Sequence, residues 1–293
     1  MRILYITPYS PSLVRGRSYG FLRQLQRDHE VTLMALCTSK QDLADAATLQ
    51  NQGYDMVAMP ESKARVLLRS GFALVSLHSI HVAYTRSTQF TQALRNLCIQ
   101  RHFDVVHVEH LRGIAAIEPL IHIYPLVWDA VDCLSLLYKQ AAVAGPNLPF
   151  RALAWLEQRH LQRYEAKMVK QLRYVIVASE RDRQALTDLC FAEIGDGTSD
   201  NSELRSTISV LPSGVDLEYF RPMQQERRRF NLVFSGKMNY HPNIATALYL
   251  YREIMPYIWQ RQPEATLTIV GSEPPNVIQR LASDPRVEVT GYV

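Results

Sequence analysis

The chain has 293 residues, enough for one large or two ordinary domains with ample core. An apolar share of 47% with 20% charged residues excludes a disordered or fibrous chain. A net charge of only +4, with no basic run interleaved with aromatics, argues against a nucleic-acid partner and leaves phosphates, sugar nucleotides or a lipid surface. Cys37, Cys98, Cys133 and Cys190 are far apart and form no C-x-x-C pair, which argues against zinc or a disulfide framework and suits a reducing cytoplasm. The first strand reaches Pro8 too soon for a signal peptide, and no apolar run approaches the length of a membrane span.

Residues 2–6 read as a buried strand, followed by a long loop containing Gly16 and a helix over 19–27. A second strand follows at 30–36, a helix at 40–52, and a third strand at 54–59 that Pro60 ends. This alternation predicts a parallel sheet with helices on both faces. Residues 61–78 and 88–101 read as helices, 104–108 and 125–129 as strands, and 148–173 as the longest helix. On that helix Leu153, Leu156, Leu161, Tyr164, Met168 and Leu172 form the predicted apolar stripe. A sixth strand falls at 173–178, a helix at 180–189, an exposed acidic loop at 193–206 and a closing strand at 208–211. The stretch Leu211-Pro-Ser-Gly-Val-Asp-Leu-Glu-Tyr-Phe-Arg-Pro222 can be neither helix interior nor central strand, and it reads as a stiff connection. Beyond it, strands at 232–235, 265–270 and 287–290 alternate with a helix over 241–260, interrupted near Pro256, and a short helix after Pro275. The expected domains are therefore 1–212, a crossover at 213–230, and a partial second Rossmann-like domain at 231–293.

Candidate functional residues lie where strands end, because ligands of open α/β sheets bind beyond the strand carboxyl ends. Gly16 could bring backbone amides to a phosphate, or simply make a turn. Glu109 and His110, just past the fourth strand, suit acid–base or hydroxyl-orienting work; His107 reads as a core histidine. Asp129 and Asp132 could hold sugar hydroxyls or cap the next helix; without further acids nearby, no metal site is expected. Lys237, after Ser235-Gly236, could neutralise a diphosphate, although no P-loop motif is present. Gly271 could admit a nucleotide or make a turn. Two Glu-x7-Glu spacings, Glu157/Glu165 and Glu218/Glu226, read as solvated charges on the long helix and in a loop.

Taken in order, the Gly16 loop, Trp128-Asp-Ala-Val-Asp132, Leu156-Glu-Gln-Arg159 with Tyr164-Glu165, Val177-Ala-Ser-Glu-Arg-Asp182, Leu211–Pro222, Phe234-Ser-Gly-Lys-Met-Asn-Tyr-His-Pro-Asn243 and Thr268-Ile-Val-Gly-Ser-Glu-Pro274 resemble family 4-type retaining glycosyltransferases of the GT-B fold. The nearest likeness is to sugar transferases of bacterial exopolysaccharide clusters. Ser213 stands where that family's crossover usually has Asn, and Glu109 where many relatives have His.

The resemblance implies an α/β GT-B-like fold: an N-terminal acceptor-side Rossmann-like domain plus the first half of a nucleotide-sugar domain. It implies a nucleotide-sugar donor and a glycan or lipid-linked acceptor, with no cofactor and no metal. Gly16, Gly236, Lys237 and Gly271 would serve the donor, Glu109 and His110 the chemistry, and Asp129 and Asp132 the sugar or acceptor hydroxyls. A cytoplasmic location is the further expectation; residues 65–69 and 148–173 could make peripheral contact with the inner membrane face, or the long helix packs on the sheet with its cations solvated. Relatives continue into a Glu-x7-Glu segment that grips the nucleotide. The chain ends before it, so it reads as C-terminally truncated and of low activity alone. The alternative is a non-catalytic Rossmann-like binding module. A Rossmann dehydrogenase is disfavoured, because no G-x-G-x-x-G follows the first strand.

Overall fold

In the computed structural model, residues 1–75, 79–145, 147–192, 206–222 and 228–293 are described. Residues 193–205 of the acidic loop expected over 193–206, the last residues of the helix expected over 61–78, and Glu226 lie outside them. Ser206, expected to be exposed, is buried and donates to the Leu172 carbonyl at 2.6 Å. The chain divides into two compact units, Met1–Phe220 and Arg221–Val293.

The first unit is a seven-stranded parallel sheet in the order β3-β2-β1-β4-β5-β6-β7. Its strands are β1 (Arg2–Thr7), β2 (Glu30–Cys37), β3 (Asp55–Pro60), β4 (Val105–Glu109), β5 (Leu126–Val131), β6 (Tyr174–Val177) and β7 (Thr207–Val210). β1 and β2 are buried along nearly their whole length. That is why they read as continuous apolar runs rather than alternating ones: a central parallel strand is covered on both faces. The two faces separate residue by residue. Ile3 and Tyr5 pack with Leu22, Leu33 and Leu49, under α1 (Gly16–Asp28) and α2 (Lys40–Asn51). Leu4 and Ile6 belong to a larger core with Phe90, Ile114, Trp128, Leu161 and Met168. Helices α5 (Thr88–Gln100), α6 (His110–Ile117) and α8 (Leu148–Gln171) cover that face. Pro60 is the last residue of β3 rather than its terminator; an edge strand tolerates the missing N–H.

Four further helices complete the unit: α3 (Lys63–Val75), α4 (Ile80–Thr85), α7 (Leu134–Ala144) and α9 (Glu180–Ala192). The sequence pattern gave no separate α4 and no α6. α6 starts with no connecting loop, because His110 takes φ 65° and turns the chain straight off β4. Gly113 lets α6 lie on the sheet: a Cβ there would sit 2.9 Å from Val108 Cγ1.

The second unit is a three-stranded parallel sheet, order β10-β9-β8, from β8 (Asn231–Ser235), β9 (Thr266–Val270) and β10 (Val287–Gly291). Met238, Ala247, Met255, Leu267, Ile269 and Ile278 form its core, under α10 (His241–Tyr249), α11 (Met255–Arg261) and α12 (Asn276–Gln279). The interruption expected near Pro256 is a π turn over Leu250–Ile254 between α10 and α11. Proline has no N–H for the i→i−4 ladder, and one wide turn accommodates the gap.

Candidate functional site

Strand order in the first unit reverses between β1 and β4. The crevice beyond the carboxyl ends of those strands is where such sheets bind ligands. Here it is tied together by one carboxylate. Glu109, at the end of β4 and 1% exposed, accepts hydrogen bonds from the Tyr5 hydroxyl, from Tyr9 at 2.5 Å and from Ser18 at 2.6 Å. It thus joins β1, the following loop and α1. Burial, then the Glu109 charge, raises both tyrosines, so they stay protonated donors.

A second carboxylate does similar work one strand along. Asp129 on β5 is fully buried and bonded by Arg17, from Nε at 3.0 Å and Nη2 at 2.9 Å. Arg17 Nη1 also donates to the Leu211 carbonyl at 2.8 Å, reaching the end of β7. Burial acts to raise the Asp129 carboxyl, but the adjoining His107 ring and Arg17 guanidinium outweigh it and hold it below its ordinary value. The β5–β6 register slips between Asp129 and Val131, and Val131 takes φ 67°, a strained value for a β-branched residue. The bulge aims Asp129 at α1. His107 is buried as expected, with its Nε2 3.8 Å from Asp129.

Gly16 is the first residue of α1. Arg15 precedes it without a side-chain cap, and the first turn holds no acid. A Cβ on Gly16 would meet nothing within 4 Å, so the backbone is open to solvent there. Both flanking arginines are already engaged, Arg15 with Asp42 at 2.6 Å and Arg17 with Asp129.

His110 sits beside a small polar cluster. Arg112 Nε donates to His81 Nδ1 at 3.2 Å, and His81 Nε2 lies 2.6 Å from the Tyr138 hydroxyl. The Arg112 amide donates to His110 Nδ1 at 3.3 Å. Burial, then the Arg112 and His81 charges, push the His110 ring down to about 3; burial and Arg112 push His81 down to about 4. Both rings are therefore neutral at neutral pH. The Asp132 carboxyl, just past β5, is raised by burial and by Asp182.

The Glu157/Glu165 pair corrects the sequence reading. These glutamates are not solvated: Glu157 is 3% and Glu165 0% exposed. The buried stripe of α8 runs through Ala154, Glu157, Leu161, Glu165 and Met168, whereas Leu153 is exposed. Glu157 takes bonds from Ser79 and from the amides of Ile80 and His81, at the N-terminus of α4. Glu165 takes the amides of Leu134 at 2.7 Å and Ser135 at 3.2 Å, at the N-terminus of α7. Each supplies the acceptor that a helix N-terminus needs when water is excluded. Burial nevertheless pushes Glu165 up to about 7.

In the second unit Gly236, Lys237 and Gly271 gather at the carboxyl ends of β8 and β9. A Cβ on Gly271, at φ 156°, would fall 1.7 Å from the Gly236 carbonyl oxygen. The close approach that Gly271 permits is that of the neighbouring strand's backbone. Lys237 is exposed and has no ion pair among the described residues.

Gly16, Glu109 and Asp129 are thus brought around the start of α1, and Gly236, Lys237 and Gly271 around the ends of β8 and β9. Sequence reasoning missed Tyr9, Arg17, Ser18, His81 and Arg112. Their partners lie roughly thirty to over a hundred positions away, and no local spacing marks them. Among the described residues, no group of three or more His, Cys, Asp or Glu could hold a metal ion, and no helix is long and apolar enough to cross a membrane.

No protein-family model and no curated protein matches the chain. Solved structures do. The E. coli trehalose-6-phosphate protein bound with UDP-2-fluoro glucose superposes with a TM-score of 0.56 at 10% identity, over 100% of this chain and 74% of that one. Sucrose-phosphate synthase of Thermosynechococcus elongatus gives 0.57 at 12%, over 100% and 70%. A UDP-N-acetylglucosamine 2-epimerase of Listeria monocytogenes gives 0.52 at 10%, over 100% and 69%. The fold is GT-B-like. At these identities the likeness establishes architecture, a Rossmann-like unit followed by the opening strands of a second, and leaves the chemistry to the residues.

Proposed function

We propose that the chain belongs to a glycosyltransferase that moves a sugar from a nucleotide-sugar donor to a glycan or lipid-linked acceptor, with retention, in bacterial exopolysaccharide synthesis. The observation that carries the reading is the rigid, uncapped start of α1 at the switch point, where Glu109 and Asp129 fix Ser18 and Arg17 on either side of open backbone. Amides held without a cap suit a diphosphate. In this reading Gly16 and, in the second unit, Gly236 and Lys237 serve the donor phosphates, with Gly271 shaping the loop. Neutral His110 orients or relays a proton for a reacting hydroxyl. Glu109 acts as its positioning neighbour, since its oxygens are committed to Tyr5, Tyr9 and Ser18. Asp129 holds the Arg17 scaffold, and Asp132 remains for sugar or acceptor hydroxyls. The family 4 resemblance and the UDP-sugar bound in one fold relative support the donor class.

A cytoplasmic site of action at the inner membrane face is part of the proposal. Leu67 and Leu68, each 74% exposed between Arg65 and Arg69, and exposed Leu148, Phe150 and Trp155 on α8 are its candidate lipid contacts. The second reading, a non-catalytic binding module, is favoured by the full commitment of Glu109.

The test is a panel of radiolabelled UDP-, GDP- and ADP-sugars, scored for binding, hydrolysis and transfer, with Lys237→Ala beside wild type. Binding of one donor, weakened about tenfold or more by Lys237→Ala, is expected. Binding without any turnover selects the binding module. No binding across the panel rejects both readings.

A further inference from the structure

In the first unit, the largely buried Arg17 side chain and the half-buried Arg15 and Arg69 each face a carboxylate: Asp129, Asp42 and Glu61. Arg112 does not. Among the described residues it has no ion pair; its Nε and Nη2 both face His81 Nδ1 at 3.2 Å, and its guanidinium lies 4.8 Å from the Tyr84 ring centre. The buried carboxylates at this end of the sheet are committed elsewhere. Glu109 is held by Tyr5, Tyr9 and Ser18, Asp129 by Arg17, and Glu157 by Ser79 and the α4 amides. A partly desolvated cation without a counter-ion is costly unless a ligand supplies one.

The hydrogen bonds also settle which protons face outward. His81 Nδ1 accepts from Arg112, so its proton is on Nε2 and is given to the Tyr138 hydroxyl at 2.6 Å. Tyr138 accepts that proton and keeps its own to donate. His110 Nδ1 accepts from the Arg112 amide, which leaves its Nε2 as the protonated nitrogen. Arg112 Nη1, Tyr138 Oη and His110 Nε2 are therefore donors, carried by α6 and α7, with no committed partner among the described residues for these protons. A donor-only set matches an oxyanion. The Nε/Nη2 edge of Arg112 is turned to His81, which leaves its Nη1/Nη2 end for an oxyanion. A doubly charged phosphate answers the unpaired cation more fully than a singly charged carboxylate.

We propose that Arg112, with Tyr138 and His110 and positioned by His81, forms a phosphate subsite at the carboxyl edge of the first unit. The subsite would make the acceptor a phosphate-bearing molecule. That last step rests on the transferase reading; the phosphate binding does not. The phosphate could arrive on a soluble sugar phosphate or on a polyprenyl lipid, and the test separates the two.

The full chain is titrated calorimetrically with inorganic phosphate and with glucose 1-phosphate, and floated with phosphatidylcholine vesicles with and without undecaprenyl phosphate. Wild type is compared with Arg112→Gln, Arg112→Lys and the exposed control Arg95→Gln, each checked for native near-ultraviolet dichroism. Arg112→Gln should weaken phosphate binding about tenfold, Arg112→Lys less, and Arg95→Gln should match wild type. The ring signals of His81 and His110 should move in proton NMR as phosphate is added. Binding of glucose 1-phosphate assigns a soluble source. Retention only on undecaprenyl phosphate vesicles, lost in Arg112→Gln, assigns a lipid-linked one. Equal binding by wild type and a natively folded Arg112→Gln or Arg112→Lys overturns the proposal. So does failure of both soluble probes together with the vesicles. No nucleotide sugar enters these measurements, so their failure and that of the donor panel are independent.

Discussion

The two units hold the carboxyl ends of their parallel strands differently: both use main-chain bonds, and the first adds buried charge. In the first, strand ends are joined by buried side-chain charge: Glu109 links β4 to β1 and α1, and the Arg17–Asp129 pair links α1 to β5 and, through Leu211, to β7. In the second, they are joined by main chain. The Gly236 amide donates to Val270 at 3.0 Å, Gly271 to Gly291 at 2.8 Å and Met238 to Ser272 at 3.0 Å. The side-chain scheme can aim arginines and tyrosines but carries buried ions, which titrate and fail badly when one partner is lost. The main-chain scheme does not depend on pH and leaves Lys237 uncommitted, but it tolerates no Cβ at its crossing point.

The largest expected effect breaks the main-chain scheme. Gly271→Ala drives a methyl into the Gly236 carbonyl at a backbone angle that suits glycine. It should destabilise the second unit by about 4 kcal/mol or more. Hydrogen exchange should show β8 and β9 opening while β1 and β4 keep their protection. The sharper arm is Gly16→Ala, where the space is open: its stability change should stay within about 0.5 kcal/mol.

Next in size is the side-chain scheme. Asp129→Ala leaves Arg17, with a side chain 9% exposed, facing no carboxylate. A loss of about 3–5 kcal/mol is expected, read as a lower denaturation midpoint of the first unit with the second unchanged. A loss below about 1 kcal/mol would mean that Arg17 finds water and that buried charge does not hold the first unit together.

The smallest expected effect is pH-dependent. The folded Glu165 carboxyl is raised to about 7 from its ordinary 4.5. A raised acid binds its proton more tightly folded than unfolded, so its contribution is fully present below about 4.5 and is lost as pH rises through about 7. Glu165→Gln keeps one acceptor and cannot ionise. Its stability relative to wild type should therefore increase between pH 5 and 8, by up to about 3 kcal/mol. Thermal melts across that range check it, and a difference that does not vary with pH would show that Glu165 does not titrate there.

How much was legible in the sequence varies with distance along the chain. β1 and β2 announced themselves because a covered parallel strand is apolar at every position. α8 was legible as a helix, and four of its six predicted stripe residues, Leu161, Tyr164, Met168 and Leu172, are buried; Leu153 is exposed, and Ala154, Glu157 and Glu165 face inward instead. Burying a glutamate makes sense only once the N-termini of α4 and α7 are known to lie against it. α6 was illegible because its start depends on a positive φ at His110 and its seat on Gly113.

The same distinction runs through the site. Local composition alone determined that a parallel α/β chain turns at a Pro/Gly-rich stretch after β7. It also determined that Gly16, Glu109, His110, Asp129 and Asp132 follow strand ends, since strand, turn and helix patterns are properties of neighbouring residues. Only the tertiary structure decided what those residues do. It set Glu109 among Tyr5, Tyr9 and Ser18, paired Asp129 with Arg17, and left the Arg112 guanidinium facing the neutral His81 ring and no carboxylate among the described residues. A side chain's charge and commitment depend on which groups share its desolvated volume. Those groups come from strands and helices up to a hundred and more residues apart, brought together by the sheet's order.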